Sequence, residues 1–224
     1  MSVKKALFAN SLFLKLYGYI KTKQFKGTSP YWEHRYLSGG NSGNGSYGLL
    51  AEYKANFLNE FVEQNKINSV LELGCGDGNQ LLKAVYPSYI GYDISHAAIA
   101  KCSEHFKNDH SKKFYHYDAK IFNEKQNLLF SELALSLDVI YHLVQKDEYE
   151  NYMNHLFNAS SLYIIIYAWD VEIKQNIHVK HRKFSTWIKE NKNEWTLIKH
   201  TTENKPTEAC DFFIYKKTLP SPLP

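Results

Sequence analysis

Residues 70–95 read VLELGCGDGNQLLKAVYPSYIGYDIS, and this stretch decides the architecture. Val70 to Leu73 is a short apolar run of the kind that forms a buried strand. It passes directly into Gly74, Gly76 and Gly78, alternating glycines that let a backbone bend tightly and come close to a ligand. A second apolar run ends at Asp93, fifteen residues after the last of those glycines. Strand, glycine turn and a second strand closing on an acid are the parts of a nucleotide-binding βαβ unit, in which the acid accepts hydrogen bonds from ribose hydroxyls. The dinucleotide fingerprint GxGxxG would place its third glycine one residue later, where Asn79 stands. NAD is therefore disfavoured, and an adenosyl ligand without pyrophosphate fits better. Glu72 adds a further carboxylate beside the turn.

The pattern extends outward from this unit. Short apolar runs at residues 69–73, 89–93, 114–117, 133–137 and 162–167 alternate with helical segments at 79–85, 96–106 and 146–157. Strands alternating with helices predict a parallel sheet covered on both faces. Before the unit, residues 49–64 carry Leu50, Tyr53, Phe57, Leu58, Phe61 and Val62 at the spacing of a helix with one buried face. Beyond Asp170 come a polar, histidine-bearing stretch, a helix at 184–190, and runs at 195–200 and 212–216 that read as a terminal strand pair, giving seven strands. The glycines, serines and Pro30 of residues 23–48 argue against a long helix and for an ordered or closing loop. The tail LPSPLP is proline-rich and reads as frayed.

Composition sets the outer bounds. With 224 residues, 44% of them hydrophobic, the chain suits one globular domain. A net charge of +4 gives nucleic acid no general attraction. Cys75, Cys102 and Cys210 lie far apart with no CxxC pair, which argues against a disulfide framework and a thiolate zinc site, and fits a reducing cytoplasm. The opening MSVKKALFANSLFLKLYGYI is broken by Asn10, Ser11 and Lys15, so it reads as an amphipathic helix, with no stable membrane insertion expected. The expected division is 1–48 as N-terminal helix and lid, 49–216 as the ligand-binding domain, and 217–224 as a flexible tail.

ELGCGDG at residues 72–78 followed by GYDIS at 91–95 resembles motifs I and II of the class I S-adenosylmethionine-dependent methyltransferases. The resemblance covers residues 49–216. It implies a Rossmann-like, seven-stranded, mostly parallel sheet with helices on both faces, whose last, antiparallel strand inserts between the fifth and sixth. It implies S-adenosyl-L-methionine as cofactor, with Gly74, Gly76 and Gly78 along its methionine part, Asp93 holding the ribose, Asp118 of YHYDAK near the adenine, and Glu72, Cys75, Ile94 and Tyr47 also at the cofactor. Asp118 also reads as a solvated loop carboxylate.

The segment LALSLDVIYHLV places Asp138, Tyr141 and His142 just past the fourth strand, at the end where open α/β sheets bind ligands. Asp138 is the expected cofactor contact there, and His142, aided by Tyr141, the candidate general base; a helix-start histidine satisfied by backbone is the alternative. The Asp/Asn-Pro-Pro-aromatic motif of amino-methylating DNA enzymes is absent, which disfavours base methylation. His178 and His181 with Asp170 lack a compact ligand set, so no metal is expected. NIHVKHRKFSTWI gathers His178, Lys180, His181, Arg182 and Lys183, which either grip an anion or form a solvated helix entrance. Tyr141, Trp169 and Trp187 are candidates for stacking, or are core.

YWEHRYLSGGNSGNGSYG at residues 31–48 resembles the N-terminal segment of small bacterial methyltransferases of capsule and lipopolysaccharide synthesis. That resemblance implies a lid in which Tyr31, Trp32, Arg35, Ser46 and Tyr47 approach the ligand, and a small, anionic sugar or phosphorylated or phosphoramidate glycan precursor as the O-methylated substrate. Two other classes stay open: a cofactor-binding partner protein without chemistry, and an NAD-dependent oxidoreductase.

Overall fold

The computed structural model describes residues 27–119, 122, 130–202 and 205–218. The helix expected at 1–20 lies outside them, as do the last six residues of the tail. In chain order the elements are α1 (Thr28–Leu37), α2 (Gly48–Gln64), β1 (Val70–Leu73), β2 (Tyr89–Asp93), α3 (His96–His105), β3 (Lys112–His116), β4 (Ser131–Leu137), α4 (Lys146–Asn158), β5 (Ser160–Ala168), β6 (Ile173–Asn176), β7 (Val179–His181), α5 (Phe184–Asn191), β8 (Trp195–Thr201) and β9 (Asp211–Lys217).

Seven strands form one sheet in the order β3-β2-β1-β4-β5-β9-β8. β1 to β5 are parallel, and β9 runs antiparallel to both β5 and β8. The last strand thus lies between the fifth and the sixth of this sheet, as the resemblance implies. Strand order reverses at β1, whose neighbours are β2 and β4, so a crevice opens above the carboxyl ends of β1 and β4.

Alternation along the strands divides the core between the two faces. Leu133, Leu135 and Leu137 of β4 join Ile165 and Tyr167 of β5, Phe212 of β9, Leu58 and Val62 of α2 and Cys102 of α3. On the other face Ala134, Ile164, Ile166 and Phe213 meet Tyr149, Met153 and Leu156 of α4 and Phe184 and Ile188 of α5. Burying a large apolar side chain contributes roughly 1.5–3 kcal/mol, so these two layers fix the sheet and everything at its carboxyl edge.

Three local expectations need correction. The helix expected at 79–85 is only a 3-10 turn, Leu81–Lys83. Ala84 already turns to extended backbone, with φ −91° and ψ 140°, and Asn59 of α2 takes over the main chain there, donating from Nδ2 to the Lys83 carbonyl at 2.9 Å and accepting from Val85 N at 2.8 Å. Residues 23–48 contain a helix of 10 residues, α1. Pro30 does not break it, because it stands in the first turn, where backbone N–H groups have no intrahelical acceptor. The stretch after Asp170 folds into the hairpin β6–β7, which apolar periodicity did not mark: Ile173 is exposed, and of β7 only Val179 and His181 are buried. The final strand also continues through Lys217.

Candidate active site

The glycine turn follows from β1. Gly74 N and Cys75 N both donate to the Tyr92 carbonyl of the adjacent strand, at 2.6 and 3.0 Å. Gly74, Gly76 and Gly78 take φ of 89°, 59° and 78°, a region costly to residues with a Cβ. Side chains would also collide: a Cβ on Gly74 would lie 2.4 Å from Val139 Cγ2, and one on Gly76 would lie 2.2 Å from Ser42 Oγ. Gly78 differs, being packed against Cys102 and Phe106 of the α3 region, and it does not line the cavity. Having no side chain there lets the α3 region approach.

A cavity of about 400 Å³ lies over this turn. Glu72, Gly74, Cys75, Gly76, Asp93, Ile94, Asp118, Asp138 and His142 line it, so most of the residues expected at a cofactor do converge on one space. Asp93 is buried and accepts from Gly76 N and Ser95 N, both at 2.9 Å, which leaves further lone pairs on its carboxylate for hydroxyl donors. Burial raises its pKa to about 6, against the pull of those two N–H groups. Glu72 is likewise buried and accepts from Tyr89 Oη at 2.7 Å; burial raises it to about 7.

Asp138 caps β4 with φ of 61°, a left-handed conformation unusual for a residue other than glycine. Lys54 Nζ of α2 lies 2.7 Å from its Oδ2, and Tyr141 Oη donates to Oδ1 at 3.0 Å. Tyr141 is therefore committed to Asp138 and does not line the cavity; burial, first of all, also raises its phenol well above the ordinary range, so it is no base. His142 does line the cavity. Its Nδ1 lies 3.3 Å from the His178 carbonyl, which can only accept, so the proton sits on Nδ1 and the Nε2 lone pair has no hydrogen-bond partner among the described residues. Burial lowers its pKa to about 4, so the ring is neutral at ordinary pH.

α1 and the loop after it lie across the cavity. Glu33 accepts from Ser95 Oγ at 2.6 Å and from Ala97 N at 3.3 Å at the start of α3, where a carboxylate is favoured by the helix dipole. Asp77 of the glycine turn accepts from Ser42 N at 3.0 Å and Tyr47 Oη at 2.8 Å, and Asp77 N donates to Ser42 Oγ at 2.9 Å. Asn79 Nδ2 donates to the Ser46 carbonyl at 2.5 Å. Tyr47 thus holds the turn through Asp77 and does not itself line the cavity.

The expected substrate contacts are spread more widely. Trp32 lines the cavity and meets the His142 ring edge-on, with centroids 5.0 Å apart. Tyr31 stacks on His178 at 5.0 Å, joining α1 to the β6–β7 hairpin. Arg35 Nε donates to the Asn41 carbonyl at 2.6 Å. Arg182 is turned to another use: its two terminal nitrogens donate to the carbonyls of Leu143 and Val144, each at 2.6 Å, so its fork is already filled by backbone. Lys180 pairs with Glu172 at 3.8 Å. His181 is buried beside Gln175, and Trp169 donates to the Ala209 carbonyl at 3.4 Å. None of Tyr31, Arg35, Trp169, His178, His181 and Arg182 lines the cavity.

Sequence reading missed Lys54, Gln80, Tyr36, Ser42 and Asp77. Lys54 had a legible sign, since it stands between Leu50 and Leu58 on the apolar stripe of α2. Asp77 and Ser42 had none, because their partnership joins loops distant in sequence. Among the described residues no group of three or more His, Cys, Asp or Glu could hold a metal, and no helix is long and apolar enough to cross a membrane.

A seven-stranded sheet with a reversed last strand and a glycine turn and a buried acid at its switch point define a Rossmann-like fold of the nucleotide-binding type. Residues 64–212 match the family model described as a methyltransferase domain, and the chain belongs to that family. Among solved structures it is similar to the N-methyltransferase NodS of Bradyrhizobium japonicum in complex with S-adenosyl-L-homocysteine, with TM-score 0.65 and 14% identity over 86% of this chain and 99% of that one. It is also similar to the magnesium protoporphyrin IX methyltransferase of Synechocystis with bound S-adenosyl-L-homocysteine, with TM-score 0.58 and 13% identity over 89% and 99% of the two chains. A search of curated proteins gives no match. The protein is an S-adenosyl-L-methionine-dependent methyltransferase, and the NAD reading is set aside by the family match.

Proposed function

We propose that this methyltransferase acts on a hydroxyl group of a small, sugar-related acceptor, with His142 as the proton acceptor. S-adenosyl-L-methionine, when bound, supplies a methyl group already activated by a sulfonium. The residues that would hold it are Gly74 and Gly76, whose missing side chains leave room, Asp93 at the ribose, Ile94 and Asp118 toward the adenine, and Asp138 at the amino-acid end. What remains for the protein is to align the acceptor, exclude water and remove a proton.

His142 is the observation that carries the reading. Its Nδ1 proton is fixed by the His178 carbonyl, and burial keeps the ring neutral, so Nε2 offers a lone pair in the cavity wall. Taking a hydroxyl proton there needs no prior deprotonation of the base. Trp32 and Leu143 beside it give the acceptor an apolar wall. The segment 28–48 acts as the lid, tied down through Glu33, Ser42 and Tyr47. Its resemblance to enzymes of capsule and lipopolysaccharide synthesis supports a sugar-related acceptor. The anionic character expected of that acceptor has little support, since Arg182 and Lys180 are committed elsewhere and the cavity's one lysine, Lys54, is paired with Asp138.

Transfer of a radiolabelled methyl group to a panel of monosaccharides, amino sugars and nucleotide sugars tests this. His142→Ala should cut turnover by about a hundredfold or more, the usual value of a general base, while S-adenosyl-L-homocysteine affinity stays within about twofold. Unchanged turnover removes His142 from the mechanism, and methyl transfer found only on nitrogen overturns the hydroxyl acceptor.

A further inference from the structure

The basic stretch after Asp170 does not line the cavity, yet it lies along the segment that carries His142. Three contacts join the β6–β7 hairpin to residues 141–144. At the hairpin tip the His178 carbonyl accepts from His142 Nδ1 at 3.3 Å. On β7 the His181 ring faces that of Tyr141, with centroids 5.0 Å apart. Just past β7, the two terminal nitrogens of Arg182 donate to the carbonyls of Leu143 and Val144, each at 2.6 Å, while the guanidinium rests over the Tyr149 ring of α4, 4.5 Å from its centroid. The bond to the His142 ring is longer than the usual N–H to oxygen distance and holds an imidazole poorly by itself. The backbone beneath the ring must therefore supply the rest. Leaving the 3-10 turn at Ile140–His142, Leu143 takes φ −84° and ψ 79°, neither helical nor extended. Two successive carbonyls held to one planar fork fix the peptide planes on both sides of Val144. The first of those planes also carries Val144 N–H, which donates to the His142 carbonyl at 3.1 Å. Arg182 thus reaches His142 through a single rigid peptide.

We propose that Arg182 is the positioning residue for His142, and that the β6–β7 hairpin is the clamp that keeps the imidazole proton on Nδ1 and Nε2 at the cavity wall. The inference rests on the reading of His142 as proton acceptor and deepens it by naming what holds the base. Arg182 touches neither cofactor nor acceptor, since it does not line the cavity, and it acts only through the carbonyls it binds. Without the fork, residues 143 and 144 can rotate, the His142 ring swings off the His178 carbonyl, and its two tautomers approach the mixture of a free imidazole. The lid shares the clamp: Tyr31 of α1 stacks on the His178 ring at 5.0 Å, Trp32 meets the His142 ring edge-on, and Thr28 Oγ1 lies 3.3 Å from the His142 carbonyl. A base misplaced by about 1 Å loses on the order of a hundredfold in rate, so a residue that fixes its backbone matters without meeting the substrate.

The test reads His142 directly and needs no acceptor: long-range proton–nitrogen correlation spectra of the full chain labelled with ¹⁵N-histidine, followed as a function of pH, with the His142 signals assigned by their loss in His142→Gln. Wild type should show one tautomer, protonated on Nδ1, with a midpoint near 4. The groups facing the ring are Asp138 at the end of β4, His178 on the hairpin and Arg35 on α1, and none of them is altered by changing Arg182. Arg182→Ala should give mixed tautomers and raise the midpoint by about one pH unit or more toward the ordinary 6.5, because the released ring gains water. Arg182→Lys keeps the charge and the stem but lacks the planar fork, so it serves if the alanine variant unfolds, and it should change the spectra in the same direction. A side chain that only stabilises the fold would lower the melting temperature and leave tautomer and midpoint unmoved; that result in either folded variant overturns the proposal, as does a wild type protonated on Nε2. The reading of His142 as base fails on a different result, unchanged turnover in His142→Ala, so the two failures are told apart.

Discussion

Asp93→Asn separates the two tasks given to that side chain. In the structure its oxygens accept from Gly76 N and Ser95 N at 2.9 Å each, and on the proposed reading its remaining lone pairs accept from the ribose hydroxyls. An amide keeps one acceptor oxygen and loses the charge. A hydrogen bond to a charged group is worth about 1.5–3 kcal/mol, so S-adenosyl-L-homocysteine should bind the variant about ten- to a hundredfold more weakly at pH 7.5. The pH dependence is a sharper sign. Burial places Asp93 at about 6, so its carboxylate form, which the ribose requires, is lost as pH falls through that value. Wild-type affinity should accordingly drop about tenfold between pH 7.5 and pH 5, since each unit below the pKa costs one decade. The variant should lack that component of the drop. Calorimetric titrations of both proteins at pH 7.5, 6 and 5 give the comparison, and parallel pH profiles would refute the reasoning.

Gly76→Ala should disturb the cradle from both sides, because the new Cβ would meet Ser42 Oγ at 2.2 Å and the φ of 59° disfavours any side chain. A stability loss of about 1–3 kcal/mol in urea unfolding is expected, together with weaker S-adenosyl-L-homocysteine binding; a variant matching wild type in both would contradict the close lid contact. Glu72→Gln should change how stability depends on pH. Burial pushes Glu72 up to about 7 from the 4.5 usual for a glutamate, so the folded state holds its proton more tightly than the unfolded state and wild type loses stability as pH rises through that window. Relative to wild type, the variant should gain on the order of 3 kcal/mol in denaturant unfolding between pH 4.5 and pH 7.5. A difference that stays constant with pH would count against it.

Much of the fold was written locally. The runs at β1, β2, β4, β5, β8 and β9 are apolar enough to be found by inspection, and the glycines between β1 and β2 announce their own backbone conformation. The resemblance supplied the place and direction of the last strand, which no local pattern encodes. The 3-10 turn at Leu81–Lys83 was not legible because what ends it is Asn59, a side chain of the preceding helix that bonds the main chain at Lys83 and Val85. The hairpin β6–β7 was not legible because so little of it is buried, leaving no apolar periodicity to read. The site divides in the same way. Asp93, Asp138 and His142 follow strands that can be recognised, and so could be placed. Arg182 could not be placed, because basic residues in sequence look alike whether they face a ligand or donate to the carbonyls of a neighbouring loop. Lys54 was overlooked because its partner lies eighty-four positions away.

The central claim is that the turn at Gly74–Gly76 and the carboxylate of Asp93 together hold S-adenosyl-L-methionine at the switch point of the sheet. A crystal structure of the protein with S-adenosyl-L-homocysteine tests it most directly. The amino-acid end should lie against Gly74, Gly76 and Asp138, with the ribose hydroxyls on Asp93. Density for the ligand elsewhere, or an empty cavity in crystals grown with saturating ligand, would contradict it.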